Sequence, residues 1–73
     1  MGIKVHADKS LVWDNESNQM VMRTAVSVSI VGINGTVYAI EGPIYCQTGH
    51  DIFEATTLLK NRIIGRLPRN EIN

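Results

Sequence analysis

Twelve residues in the middle of the chain alternate between two sets of side chains, and this pattern constrains the fold more than any other feature. From Met20 to Val31 half of the residues are β-branched, which favours a pleated strand over a helix. Successive side chains of a strand point to opposite faces of the sheet. The segment therefore predicts one long strand with two different faces. One face carries Met20, Met22, Thr24, Val26, Val28 and Ile30, and the other carries Val21, Arg23, Ala25, Ser27, Ser29 and Val31.

Shorter apolar stretches on both sides predict two further strands. The first covers Ile3 to Trp13, with a bend or bulge at Asp8-Lys9, and a polar loop follows over residues 14–18. The third strand follows Gly35, is broken or bent at Gly42-Pro43 and resumes through Gln47. Because proline lacks a backbone N–H, the third strand is expected at an edge of the sheet.

The turn between the second and third strands determines which residues share a face. A two-residue turn at Asn34-Gly35 would place Glu41 on the most apolar face of the sheet. A three-residue loop, with Gly35 in the left-handed region, shifts the register by one residue. We expect the longer loop, since it turns the Glu41 carboxylate away from the core. Thr36, Tyr38 and Ile40 then join the face of Val26, Val28 and Ile30.

A helix is predicted from about Gly49 to Ile64. Thr48 and Asp51 have the spacing of a capping box, Gly65 is the expected C-cap residue and Pro68 the stop. The apolar stripe of the helix consists of Ile52, Ala55, Leu59 and Ile63, widened by Thr56 and Leu58. The predicted fold is α+β: a three-stranded antiparallel meander, or a four-stranded one if the first or third strand bends, with one C-terminal helix on one face (βββα).

Length and composition limit the functions that this chain can have. The 73 residues make a single small domain over 1–73, and the formal net charge of zero excludes a generally basic nucleic-acid binder. One cysteine excludes an internal disulfide framework. No export signal or membrane-spanning stretch is present, which predicts a cytoplasmic protein that does not enter a membrane.

Three residues at the junction of the third strand and the helix come closest to a catalytic cluster. Cys46, His50 and Asp51 lie within six residues, and a helix N-terminus can lower the pKa of a thiol. Asp51, however, is accounted for by the capping box, and a buried thiol beside a surface histidine explains the rest. Even with His6 the group lacks the usual ligands of a zinc site. We expect no enzyme, no metal and no cofactor, with a thiol-dependent enzyme as the lesser alternative.

The basic residues concentrate in the last fourteen positions, where the net charge is +3, against −3 for residues 1–59. Lys60, Arg62, Arg66 and Arg69 could contact phosphates. Cations are also expected at a helix C-terminus because they complement the helix dipole. Nucleic-acid binding is therefore an alternative that the sequence does not favour.

The sheet face opposite the helix is predicted to be an interface. Its side chains are small and carry little charge, whereas an exposed sheet face usually carries polar residues. The predicted interface consists of Val21, Arg23, Ala25, Ser27, Ser29, Val31, Val37, Ala39 and the partly exposed Trp13, while Tyr38 and Phe53 are assigned to the core.

The βββα pattern looks like that of many small accessory proteins of bacteria and phages, without a motif that specifies one. The sequence predicts a non-enzymatic protein–protein interaction module, an accessory or regulatory protein. It is expected to form a homodimer and to bind a partner protein that the sequence does not identify.

Overall fold

The computed structural model describes residues 2–66. They form β1 (Gly2–Asp14), β2 (Gln19–Val31), β3 (Val37–Cys46) and α1 (Gly49–Gly65). The three strands make one antiparallel sheet in the order β1-β2-β3, and α1 packs on one face of it. The predicted α+β meander with a C-terminal helix is therefore confirmed. The expected stop at Pro68 lies outside the described residues.

The core lies between α1 and the strands β2 and β3. Ala55, Leu59 and Ile63 recur at helical spacing and are the buried residues of the helix. They pack against the face of the sheet that the alternation of β2 predicts to be apolar. The other buried apolar residues are Val26, Val28, Ile30 and Cys46.

The hairpin of β1 and β2 is long and regular. Its pairing runs from Gly2 opposite Val31 to Asp14 opposite Gln19 without a shift, so the predicted bend at Asp8-Lys9 is wrong. The pairing of β3 ends where Cys46 meets Thr24, and residues 10–14 and 19–23 extend beyond it as a two-stranded ribbon. The described structure is correspondingly elongated, 47 × 21 × 18 Å.

The turn between β2 and β3 is the predicted three-residue loop. The Gly35 N–H donates to the Gly32 carbonyl at 3.0 Å, and the Gly32 N–H donates to the Thr36 carbonyl at 2.8 Å. Gly35 has φ +84°, in the region that only glycine adopts without strain. The sequence therefore predicts the conformation of this turn correctly.

A β-bulge lies directly after the turn. Beyond it, the side chains of β3 point to the opposite face from the one that the turn alone predicts. Val37 pairs with Val31, but Ala39 pairs with Ile30, so Tyr38 is an extra residue. Glu41 thus lies on the helix side, and the expectation that it faces away is wrong. The Arg66 guanidinium donates to the Glu41 carboxylate at 3.0 Å, which provides the charge partner that sequence reasoning did not assign.

A second shift in β3 occurs at Gly42-Pro43, as the proline predicts. Val28 pairs with Glu41 and Val26 with Ile44, so the bulge lies opposite the single residue Ser27, and the Gly42–Pro43 bond is cis. Gly42 has φ +101°, and a Cβ atom there would stand 2.8 Å from the carbonyl oxygen of Val26. The bulge therefore requires glycine for its backbone conformation and for its close contact with β2.

The N-terminus of α1 has the predicted capping box. The Asp51 N–H donates to Thr48 Oγ1 at 3.1 Å, and the Asp51 carboxylate accepts from the Thr48 N–H at 3.3 Å. At the other end Gly65 is still helical and Arg66 is the C-cap residue, so the expected glycine cap is wrong. The Arg66 N–H donates to the Ile63 carbonyl at 3.1 Å.

Thr48→Ala is expected to lower the free energy of unfolding by about 1 kcal/mol, because α1 loses a side-chain acceptor at its N-terminus. Urea denaturation measures the change. Thr57→Ala is the matched control, since Thr57 is exposed in mid-helix and its hydroxyl only returns a hydrogen bond to the Phe53 carbonyl. Equal midpoints for the two variants would contradict the capping assignment.

Gly42→Ala is expected to destabilise the protein more than Gly35→Ala. Both positions have positive φ, which costs an L-residue about 1–2 kcal/mol. Only at Gly42 does the added methyl group also meet backbone atoms of β2, whereas the space around Gly35 is open. Thermal unfolding of the two variants tests the order, and a larger loss for Gly35→Ala would contradict it.

Candidate interaction surface

The helix leaves part of its own side of the sheet uncovered. α1 packs on β2 and β3, while β1 lies to one side of it. Alternate residues of β1 and the outer half of β2 consequently present large apolar side chains, each between 41% and 60% exposed. We call this set the apolar stripe, and it consists of Ile3, Val5, Leu11, Trp13, Met20 and Met22.

The most exposed part of the apolar stripe lies on the ribbon. Trp13 pairs with Met20 and Leu11 with Met22, so the four side chains share one face. Neither β3 nor the buried part of α1 reaches this far along the sheet. Lys9 is the one charged residue of β1 on this face, and its ammonium group donates to Thr24 Oγ1 at 3.3 Å.

The flank of α1 nearest β1 adds further apolar surface. The opposite flank, which carries Asp51, Glu54 and Leu58, lines a groove of about 320 Å³ along β3. At 100° per residue, Phe53 and Ile64 fall on the side of the helix away from that groove. Phe53 is 71% exposed, so its predicted place in the core is wrong.

The opposite face of the sheet is more polar than the sequence suggested. Lys4, His6 and Asp8 lie there, because each pairs with one of the small residues of β2. The His6 Nε2 atom is 3.1 Å from Ser29 Oγ. Ala39 lies on the helix side and packs against the core, so its predicted place in this interface is wrong. The expectation that this face carries little charge is wrong, because it rested on the side chains of β2 and β3 and left out those of β1.

The remaining residues of the predicted interface divide between the two faces. Trp13 is on the helix side and is 56% exposed, as its position before a polar loop suggested. Tyr38 and Ile40 are exposed, which contradicts their predicted place beside Val28. The residues that lie opposite the helix as predicted are Val21, Arg23, Ala25, Ser27, Ser29, Val31 and Val37.

The cysteine at the end of β3 is not part of an assembled catalytic cluster. Cys46 is buried, and its thiol lies 3.7 Å from the Ile44 carbonyl oxygen. Burial, and to a smaller extent the charge of Asp51, raise the pKa of the Cys46 thiol. His50 pairs instead with Glu54 at 3.0 Å on the exposed side of the helix. Hydrogen bonds from the backbone N–H groups of Thr48 and Gln47 lower the pKa of Asp51, as its capping role requires.

The basic residues at the end of the helix do not form one patch. Arg66 is drawn onto β3, where its guanidinium contacts the Ile40 carbonyl and the Glu41 carboxylate. Lys60 and Arg62 are exposed, but two residues apart on a helix their side chains point about 200° away from each other. Arg69 lies outside the described residues. Nucleic-acid binding therefore gains no support from residues 60–66.

Residues 2–66 contain neither a metal-binding cluster nor a membrane-spanning helix. No three His, Cys, Asp or Glu side chains come together as a metal site would require. In the same part of the chain, α1 is too short and too polar to cross a membrane. No protein-family model, curated protein or solved structure matches the chain significantly. The apolar stripe is thus the strongest functional feature of the described residues.

Cys46 is expected to react with iodoacetamide more slowly than glutathione does at pH 7. Only the thiolate reacts, and a raised pKa reduces the thiolate fraction at neutral pH. Unfolding in urea should remove the difference, because the pKa shift depends on burial. A rate in the folded protein equal to or above that of glutathione would contradict the assignment of Cys46 to the core.

Proposed function

We propose that the protein is a non-enzymatic protein–protein interaction module that self-associates through the apolar stripe. One observation carries the proposal: six large apolar side chains lie exposed on one sheet face, in two groups that Ala7 and Lys9 separate. Monomeric proteins rarely expose contiguous apolar patches of more than a few hundred Å², and such patches usually mark interaction sites.

The composition of the apolar stripe supports an interface. Tryptophan and methionine are enriched at the centres of interfaces, whereas charged residues are depleted there. Trp13, Met20 and Met22 lie together at the outer end of the stripe. Lys9 interrupts the stripe, but its long apolar stem can lie along the surface while its ammonium group stays with Thr24.

The small size of the domain supports a second copy as the partner. A domain of this length buries a small fraction of its surface, and its stability is correspondingly limited. A partner that binds only the folded state stabilises that state by mass action. A second copy is present at the concentration of the protein itself, so self-association supplies this stabilisation without another component.

The state of Cys46 supports two further parts of the proposal, the non-enzymatic role and the cytoplasmic location. The buried Cys46 thiol with its raised pKa is poorly suited to nucleophilic catalysis, which supports a non-enzymatic role. Its free state in the interior suits a reducing compartment such as the cytoplasm. We place the protein among small accessory or regulatory proteins of bacteria or phages, whose role is exerted through contacts with other chains.

Leu11→Lys is expected to weaken self-association at least tenfold, since a charge would replace an apolar contact worth roughly 1.5–3 kcal/mol when buried. Sedimentation over a hundredfold range of concentration measures the dimer fraction. Ile40→Lys is the matched control: Ile40 is 58% exposed against 60% for Leu11, but it pairs with Ser29 on the other face of the sheet.

Comparison of the two variants shows which face of the sheet forms the interface. Loss of the dimer in Leu11→Lys but not in Ile40→Lys supports the apolar stripe. The reverse result would assign the interface to the face opposite the helix. A wild-type protein that sediments as an 8.1 kDa monomer throughout would overturn the proposed self-association.

A further inference from the structure

The two edges of the sheet differ in their capacity to pair with another strand. On β3, two register shifts and the missing N–H of Pro43 interrupt the backbone groups. On β1, the 13 residues from Gly2 to Asp14 contain no bulge and no proline. No other strand of residues 2–66 covers the outer side of β1. β1 therefore presents a long and regular edge.

We infer that β1 pairs with β1 of a second copy, antiparallel, with Ala7 facing Ala7 across a two-fold axis. The inference rests on the proposed self-association and specifies its geometry. The two sheets of three strands would join into one continuous sheet. Both helices would lie on the same side, because a two-fold axis through Ala7 pairs odd-numbered residues with odd-numbered ones.

The charges of β1 rule out an axis at Asp8 and are compatible with an axis at Ala7 or at His6, where Lys4 would face Asp8. With the axis at Ala7, His6 faces Asp8 of the second copy. Lys4 lies diagonally opposite that same Asp8, on the same face of the sheet. With the axis at Asp8 instead, two carboxylates would meet directly, which is unfavourable. The spacing of charges on β1 is thus self-complementary about Ala7, as a symmetric interface requires.

The apolar side chains support the same register. With the axis at Ala7, Ile3 faces Leu11 of the second copy, and residues 2–12 of both copies are paired. An axis at His6 would leave Leu11 without a partner within β1 and would shorten the paired region. One apolar residue faces Lys9 in either case, Ile3 with the axis at His6 and Val5 with the axis at Ala7. In the Ala7 register, Leu11 and its neighbour Met22 continue the row formed by Ile3 and Ile30 of the other copy.

The exposed part of the apolar stripe gains a neighbour in this arrangement. Leu11 and Met22 lie on the ribbon, beyond the end of β3 in their own chain. The antiparallel pairing brings this ribbon beside Ile3, near the helix C-terminus of the second copy. The edge supplies backbone hydrogen bonds and the apolar stripe supplies side-chain contacts, so the two features describe one interface.

Oxidative crosslinking of variants with one added cysteine on β1 tests the register directly. The variants are His6→Cys, Ala7→Cys and Asp8→Cys, all at exposed positions of β1. Only the residue on the axis faces itself, at a Cα–Cα distance of about 4.5–5.5 Å, which permits a disulfide. Copper phenanthroline is the oxidant. The wild type, whose one cysteine is buried, and Val37→Cys on the β3 edge serve as blanks.

We expect most of the Ala7→Cys protein to become covalent dimer and little of the other variants to do so. Preferential crosslinking at position 6 or 8 would overturn the register. If no variant crosslinks while the wild type sediments as a dimer, the pairing of β1 about residues 6–8 is wrong and the proposed self-association stands. A wild type that is monomeric at every concentration overturns both.

Discussion

A single helix is too narrow to cover three strands, and the rest of the structure depends on this mismatch. An α-helix with its side chains is about 10 Å wide, and neighbouring strands are about 4.8 Å apart. α1 therefore covers two strands, and it covers β2 and β3 because Ala55, Leu59 and Ile63 pack there. Within residues 2–66, β1 is held mainly by its hairpin with β2. The apolar stripe is the surface that this arrangement leaves without a cover.

The sequence predicts local structure well at three places where short-range interactions dictate the backbone, although not at the C-terminus of α1, where Gly65 is helical and Arg66 is the C-cap residue. The three-residue loop that ends at Gly35, the Thr48–Asp51 capping box and the alternation along β2 are all confirmed, since each depends on interactions within a few residues. The bulge at Tyr38 has no such local signal. The bulge places the Glu41 carboxylate on the helix side, where Arg66, 25 residues later in the chain, supplies its charge partner. Contacts over that distance cannot be assigned from a pattern.

The sequence predicts that the protein exposes an apolar surface, but not which face of the sheet carries the large apolar side chains. Excess apolar surface on one sheet face, with Trp13 partly exposed, follows from a chain that has three strands and one helix. The expectation that the face opposite the helix carries little charge is wrong for one reason. The pairing of β1 with β2 adds Lys4, His6 and Asp8 to the face that otherwise carries small residues. The charge of a sheet face depends on the side chains of all its strands. The residues of β2 and β3 alone therefore could not predict how polar the face opposite the helix is.

The contrast between the regular β1 edge and the bulged β3 edge limits how large an assembly can grow. A sheet with two regular edges can add chains at both ends without limit, as fibrils do. In the proposed dimer, the two-fold pairing of β1 would occupy the regular edge of each chain and leave only the interrupted β3 edges outside. Gly42 and Pro43 would thereby act as terminators of sheet growth and fix the stoichiometry at two, which protects a small protein with a long exposed strand from polymerisation.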